Sequence, residues 1–147
     1  MHMYVGPARA RKPPLGQVVF CTGCCCGRID RGFSPVPVAR LKAVWKAEKL
    51  NRTIQLTISG CVGPCDMANV GMILTPQGVE WFGNLDLDVY FDAVIAWARA
   101  CHAVHRLLQW PEVLAARRFV WFAEAAGGTV RPVPRPVAVD PAVARQR

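Results

Sequence analysis

Two cysteine clusters, each placed directly after a β-type run, constrain this chain more than any other feature. The first, Cys21-Thr-Gly-Cys-Cys-Cys26, follows residues 17–20, and the second, Cys61-Val-Gly-Pro-Cys65, follows residues 53–59. If the two runs are neighbouring strands, both clusters lie at the same end of one sheet. A cage of four thiolates is a soft site that suits an iron–sulfur cluster or zinc.

The order of the regular elements predicts an α/β domain over residues 16–105. Strands are predicted at 17–20 and 53–59, and 71–75 and 79–82 form a β-hairpin around Pro76-Gln-Gly78. Apolar residues recur at helical spacing over 37–50 and 86–101, which predicts two amphipathic helices covering the sheet. We therefore expect a four-stranded sheet flanked by helices, in which the strands before the two clusters are parallel neighbours joined through the first helix.

The two ends of the chain have a different composition. Residues 1–15 contain three prolines and are predicted to form an extended basic lead. Residues 106–126 predict a C-terminal helical extension, which starts at Trp110-Pro-Glu112 and stops before Gly127-Gly128. Residues 127–147 form a Pro-rich basic tail that we expect to be extended or disordered.

The net charge of +8, from 18 basic and 10 acidic residues, lies mainly near the ends of the chain. No nucleic-acid motif accompanies it and the basic residues are not interleaved with aromatics, so we expect no nucleic-acid partner but an acidic docking partner. There is no apolar run long enough to span a membrane, and the N-terminus lacks the apolar stretch of a signal peptide. These features predict a cytoplasmic monomer or homodimer, whose clustered cysteines are metal ligands or catalytic thiols rather than disulfides.

The residues alone leave the ligand set open. Cys21 can pair with Cys24, Cys25 or Cys26, whereas the second cluster offers only Cys61 and Cys65. A zinc ribbon would have two CxxC knuckles, and the second pair is one residue wider. A thioredoxin-type CxxC catalyst would use Cys21 and Cys24 but would leave the second cluster unexplained. Four cysteines on two converging loops fit a 2Fe–2S cluster best, with a zinc-binding or dithiol partner-binding protein as the competing class.

Three further side chains are interpreted as structural. Cys101 lies on the apolar stripe of the second helix, which predicts a core position. His102 and His105 have a spacing that could chelate metal, but they have no acidic or cysteine neighbour in sequence, which favours packed or solvated histidines.

The cysteine spacing, together with Ser59-Gly-Cys-Val-Gly-Pro-Cys65 and the following Asp66-Met-Ala-Asn69, resembles the thioredoxin-like 2Fe–2S ferredoxins. The resemblance covers about residues 17–105 and implies a thioredoxin-like fold whose cluster loop, residues 61–70, replaces a helix. It also implies a 2Fe–2S cofactor held by Cys21, Cys26, Cys61 and Cys65, with Cys24 and Cys25 departing from the family pattern. The implied activity is one-electron transfer to a redox partner rather than enzymatic catalysis. The residues around both clusters are similar to those of a bacterial ferredoxin subgroup associated with cobalamin biosynthesis.

Overall fold

The computed structural model of this protein describes residues 12–123, which form one open, mixed β-sheet with α-helices packed on it. The regular elements, in chain order, are β1 (Gly16–Cys21), α1 (Val38–Glu48), β2 (Ile54–Ser59), β3 (Gly71–Thr75), β4 (Gly78–Phe82), α2 (Asp88–Val104) and β5 (Arg118–Phe119). The two predicted amphipathic helices and all four predicted strands are present, with ends that differ by at most three residues from the predicted ones.

The predicted pairing of the two strands that precede the cysteines is confirmed. β1 and β2 are parallel, with Gly16 opposite Ile54 at one end and Cys21 opposite Ser59 at the other. β3 pairs antiparallel with the other edge of β1, and β3 and β4 form the predicted hairpin. Because the C-terminal ends of parallel strands lie at the same edge of a sheet, both cysteine clusters begin at that edge.

The sheet has five strands in the order β2-β1-β3-β4-β5, so the prediction of four strands is wrong. The added strand, β5, pairs antiparallel with β4 through Phe119 and Trp81. It also corrects the predicted C-terminal helix: a short 3-10 helix covers Glu112–Arg117, and the chain is extended from there. The run Phe-Val-Trp-Phe from position 119 is β-branched and aromatic, and it can join a sheet edge that β4 leaves open. The predicted lead up to residue 11 and the tail from residue 124 lie outside the described residues.

Side-chain alternation along the strands separates the sheet into two faces. On one face Val18, Phe20, Ile73 and Phe82 share a core with both α-helices, and Phe20 lies against Phe91 of α2 with ring centroids 5.2 Å apart. The other face carries a smaller cluster in which two cysteines lie beside aromatic and aliphatic groups, with these buried members: Cys21, Cys26, Ala68, Val70, Trp81 and Phe119. The fold thus places its helices on one side of the sheet and the cysteine loops on the other.

Ion pairs join the solvent-facing sides of the two α-helices. Arg40 of α1 pairs with Asp92 of α2, and Glu48 pairs with Arg99 through a fork of hydrogen bonds of 2.7–3.0 Å. The guanidinium of Arg99 holds the pKa of Glu48 below its usual range. Exposed pairs of this kind add little stability, but they align the helices side by side. Among residues 12–123, no helix has the length and apolar character needed to cross a membrane.

Arg117 is a buried charge that fastens the C-terminal segment to α2. Its Nε donates to the hydroxyl of Tyr90 at 2.8 Å, its Nη2 lies 3.3 Å from Asp86, and its guanidinium lies over the Tyr90 ring. The side chain is only 4% exposed, whereas the neighbouring Arg118 is half exposed and pairs with Glu80. The first arginine is therefore part of the packed structure, and the second lies at the surface.

We expect Arg117→Ala to lower the free energy of unfolding by about 2–4 kcal/mol, because it removes a buried packed side chain and leaves the Tyr90 hydroxyl without its partner. The matched variant Arg118→Ala should cost no more than about 1 kcal/mol. Urea unfolding followed by circular dichroism measures both. Equal losses in the two variants would contradict the role given to Arg117.

Candidate metal centre

The first cysteine cluster forms a tight turn at the end of β1. Gly23 and Cys26 exchange two backbone hydrogen bonds of 3.1 and 3.0 Å, which places Cys24 and Cys25 at the tip. Cys24 adopts a left-handed backbone conformation with φ of 48°. Its side chain is exposed at the tip, while Cys21 and Cys26 at the base of the turn are buried.

The second cluster forms a short irregular loop between β2 and β3. It contains no α-helix, only a 3-10 turn over Cys65–Met67. The backbone at Gly63 has φ of +122°, and a Cβ there would lie 3.1 Å from the ring of Trp121. Two features therefore favour glycine at this position: the backbone conformation and the close contact with the indole of Trp121.

Three cysteine sulfurs from the two loops meet at the surface. The Sγ atoms of Cys61 and Cys65 are 3.2 Å apart, and the Sγ of Cys24 lies 3.7 Å from that of Cys65. All three sulfurs lie within 4.8 Å of one another, which is close enough to hold a metal ion. Two thiolates on one tetrahedral metal with bonds of about 2.3 Å are separated by roughly 3.8 Å, so the observed spacing suits a single metal.

The four ligands implied by the resemblance line one narrow cleft between the loops. Its walls include Cys21 and Cys26 from the first cluster, Cys61 and Cys65 from the second, and also Cys25. Cys21 and Cys26 are each 3% exposed and form the floor, while Cys61 lies at the exposed rim. The four therefore line one cleft, but among the described residues the three sulfurs that lie within 4.8 Å of one another are those of Cys24, Cys61 and Cys65. Cys21 and Cys26 do not belong to this group, and Cys24 is a residue that the resemblance left out.

The thiols of this site have unequal acidities. A hydrogen bond with Cys65 and one from the backbone N–H of Gly63 lower the pKa of Cys61. The bonds of Cys65 with Cys61 and Cys24 raise the pKa of Cys65 to about 12, because its proton is shared with these sulfurs. Burial, followed by a hydrogen bond with Cys26, raises the pKa of Cys21 to about 12. Of Cys21, Cys61 and Cys65, Cys61 is therefore the thiol that most readily becomes a thiolate, and a metal that binds the other two must displace their protons.

Asn69 connects the two loops through a buried side-chain amide. Its Oδ1 accepts a 2.6 Å hydrogen bond from the backbone N–H of Gly27, which follows the first cluster. Its Nδ2 donates to the carbonyls of Ser34 at 2.9 Å and Leu85 at 3.3 Å. The residue is 2% exposed, so these bonds are sheltered from water and fix the first loop against the segment that follows the second.

Charged and aromatic residues surround the cysteines. The Nη1 of Arg31 donates to the carbonyl of Cys24 at 3.0 Å, and Arg28, which pairs with Asp30, also lies near the first loop. On the other side, Trp81 packs with Trp121 at a centroid distance of 6.4 Å and with Phe122 at 5.6 Å. The centre therefore has a cationic side and an aromatic side.

Sequence reasoning missed the positions of Cys24, Asn69 and Trp121. The glycines that flank Cys24-Cys-Cys26 signal a tight turn with its middle cysteines at the tip, so the exposure of Cys24 could have been anticipated. Nothing in the sequence marks Asn69 as buried or pairs Trp121 with Gly63, because both contacts join segments far apart in the chain. Cys101 is buried in the core as predicted, and burial raises the pKa of its thiol.

Comparison with protein-family models, with curated proteins and with solved structures found no match to this chain. The assignment of function therefore depends on the cysteine centre and its surroundings.

We expect Asn69→Ala to lower the free energy of unfolding by about 2–4 kcal/mol, because it leaves the N–H of Gly27 and the carbonyls of Ser34 and Leu85 without this partner. It should also weaken Co²⁺ binding, measured anaerobically from the thiolate-to-cobalt absorption of the reduced protein. The matched variant Asn51→Ala removes only an exposed hydrogen bond to the N–H of Leu56 and should leave the cobalt affinity unchanged. An Asn69 variant with normal cobalt affinity would show that the amide does not organise the centre.

Proposed function

We propose that this protein is a small electron carrier, a thioredoxin-like 2Fe–2S ferredoxin that holds one cluster on four cysteine thiolates. The observation that carries the proposal is the convergence of two cysteine loops at the ends of the parallel strands β1 and β2. The connection from β2 to β3 carries the second cysteine pair and no α-helix, in agreement with the cluster loop that the resemblance implies.

The donor set fits a 2Fe–2S cluster in number and in chemistry. Cys21 and Cys26 offer one pair from the first loop and Cys61 and Cys65 another from the second, and all four line the same cleft. Cysteine thiolates are the usual ligands of such clusters. Cys24 and Cys25 lie within the same turn as Cys26, so any of these three cysteines could supply the second ligand of the first loop.

The chain's own residues prepare the site for an anionic group. Backbone N–H groups of Val62 and Gly63 point at the sulfurs of Cys21 and Cys61, and each lowers the pKa of the cysteine it contacts. Such N–H···S bonds favour the negatively charged form of the ligands. When bound, a 2Fe–2S cluster supplies reversible transfer of one electron. Trp121 lies against Gly63 of the second loop, and the exposed rim at Cys61 is where a partner protein would make its closest approach.

A zinc site is the second candidate function, and the exposed triad of Cys24, Cys61 and Cys65 favours it. Its sulfur separations suit one tetrahedral ion, and zinc sites with four cysteines are common structural elements. In that case the protein would bind a partner without transferring electrons. A protein whose thiol pair forms a disulfide on oxidation belongs to the same class of partner-binding proteins.

The partner that we propose is an acidic redox protein, and the electron-transfer role makes the chain a carrier rather than an enzyme. Arg28 and Arg31 supply positive charge beside the first cysteine loop, and the whole chain has a net charge of +8. Arg52, which precedes β2, lies at the opposite end of the sheet and does not belong to this surface. A cytoplasmic location and a role in cobalamin biosynthesis remain part of the proposal through the resemblance alone.

We expect anaerobically purified protein to be coloured and to contain two iron and two sulfide per chain, with a visible spectrum that bleaches on one-electron reduction. Metal analysis, sulfide assay and electron paramagnetic resonance of the reduced protein measure this. Zinc in the absence of sulfide would contradict the electron-carrier proposal and support the second candidate.

Single serine substitutions test the ligand set. We expect Cys21→Ser, Cys26→Ser, Cys61→Ser and Cys65→Ser to lose or strongly change the visible spectrum, because each removes a thiolate. Cys24→Ser is the sharper variant: a 2Fe–2S site on the other four should survive it, whereas a zinc site on the exposed triad should lose affinity. Cys101→Ser is the control for a cysteine outside the site. A normal spectrum in Cys26→Ser with loss in Cys25→Ser would move the second ligand to Cys25.

We expect the rate of electron transfer with the physiological donor to fall as ionic strength rises, because salt screens attraction over about 10 Å at 0.1 M. Stopped-flow measurements across a salt series test this, and Arg31→Gln should lower the rate at low salt. Lys42→Gln, which removes one positive charge from the exposed side of α1, is the control. A rate that is independent of salt would exclude electrostatic steering of the partner by Arg28 and Arg31.

A further inference from the structure

A basic cleft of about 890 Å³ lies at the end of the sheet opposite the cysteines. It is bounded by the start of β2, the end of α1, the end of α2 and the segment before β1. The six residues of β1 rise by roughly 20 Å, so the cleft and the cysteine centre occupy separate surfaces. Its charged and titratable lining consists of Lys12, Lys46, Lys49, Arg52, His102 and His105.

The positive charges of this cleft are not offset by ion pairs in the part of the chain that the structure describes. No acidic side chain lines it, and none of its lysines or its arginine lies within ion-pair distance of a carboxylate among residues 12–123. Elsewhere in the same part of the chain, five arginines form ion pairs, so carboxylates are available but do not lie here. Glu48, the nearest acidic residue in sequence, is paired with Arg99, and its charge also interacts with His102 of the cleft.

Buried, hydrogen-bonded side chains lie beneath the cleft. Thr53 is completely buried, and its hydroxyl is 2.8 Å from the Nδ1 of His102. Trp45 is 1% exposed and donates its indole N–H to the carbonyl of Ile54 at 2.8 Å. The exposed lysine and arginine side chains of the cleft thus lie over a buried, hydrogen-bonded layer, so the backbone that carries them is fixed before any ligand binds.

We propose that this cleft binds a small molecule that carries two or more phosphate groups. Four lysine and arginine charges exceed what a single phosphate would neutralise, and Arg52 can bind phosphate oxygens in the bidentate manner of guanidinium groups. The volume lies within the range of sites for cofactor-sized ligands. The proposal is independent of the cysteine centre, because no residue is shared between the two.

The cations have a competing structural role at the helix ends. α1 and α2 both end beside the cleft, and their C-terminal carbonyls carry partial negative charge that basic side chains offset. If this were their only role, removing them would lower stability without affecting any ligand. The experiment must therefore measure binding and stability separately.

Isothermal titration calorimetry of the full chain with inorganic pyrophosphate, at about 0.15 M ionic strength, tests the proposal. We expect saturable binding with one site per chain, and weakening of about tenfold for each cation removed in Lys46→Gln/Arg52→Gln. The control, Lys42→Gln/Arg106→Gln, removes the same charge outside the cleft and should bind normally. Thermal unfolding of each variant separates loss of binding from loss of fold, and the single variant Lys46→Gln serves if the double variant is unstable.

The outcomes that would overturn the proposal are distinct from those that concern the cysteines. Absence of saturable binding, or equal weakening in both double variants, would reduce the cleft to a set of helix-end cations. Binding of citrate in preference to pyrophosphate would exclude a phosphate ligand, and preference for an oligonucleotide would indicate a nucleic-acid surface instead. Cys61→Ser should bind pyrophosphate as the unchanged protein does, whatever the metal content of either.

Discussion

The buried amide of Asn69 is the interaction on which the cysteine side of this molecule depends. The two cysteine loops belong to segments about forty residues apart, and neither has an α-helix or a strand ladder of its own to hold it. One side chain joins Gly27 and Ser34 of the first loop to the segment of Leu85, and its oxygen and nitrogen are both used. An amide can do this because it accepts and donates at once, whereas a carboxylate of the same size would present two acceptors to carbonyl oxygens.

The two faces of the sheet divide the work of stability and chemistry. The helical face contains the large aromatic and aliphatic side chains, and the ion pairs between α1 and α2 lie on its outer side. The opposite face contains the cysteines and an aromatic group that is only partly covered, with Trp121 and Phe122 exposed. Strand alternation places Phe20 on one face and Cys21 on the other, so neighbouring residues of one strand belong to different clusters.

Local patterns in the sequence predicted the parts of the fold that depend on local physics. The alternation over residues 53–59, the helical spacing over 37–50 and the hairpin turn at Pro76-Gln-Gly78 all have their expected structures. β5 could not be foreseen, since two residues at a sheet edge have no pattern and depend on β4 for every bond. Arg117 and Arg118 are adjacent and chemically identical, and only the tertiary position of Tyr90 decides which is buried. The convergence of the cysteine loops could be predicted from the parallel pairing of β1 and β2. The contact of Cys24 with Cys65 could not, because it depends on the turn between Gly23 and Cys26.

The contact between Cys24 and Cys65 also bears on the conformational entropy of the chain. These residues are 41 positions apart, and the segment between them contains the whole of α1 and β2. Any group that binds sulfurs from both loops closes this segment into a ring, as a cross-link does, and so restricts the unfolded chain as well as the folded one. Because such a group binds the folded protein far better than the unfolded chain, loading and folding are thermodynamically linked. Loss of the bound group would therefore loosen a helix and a strand that never touch it.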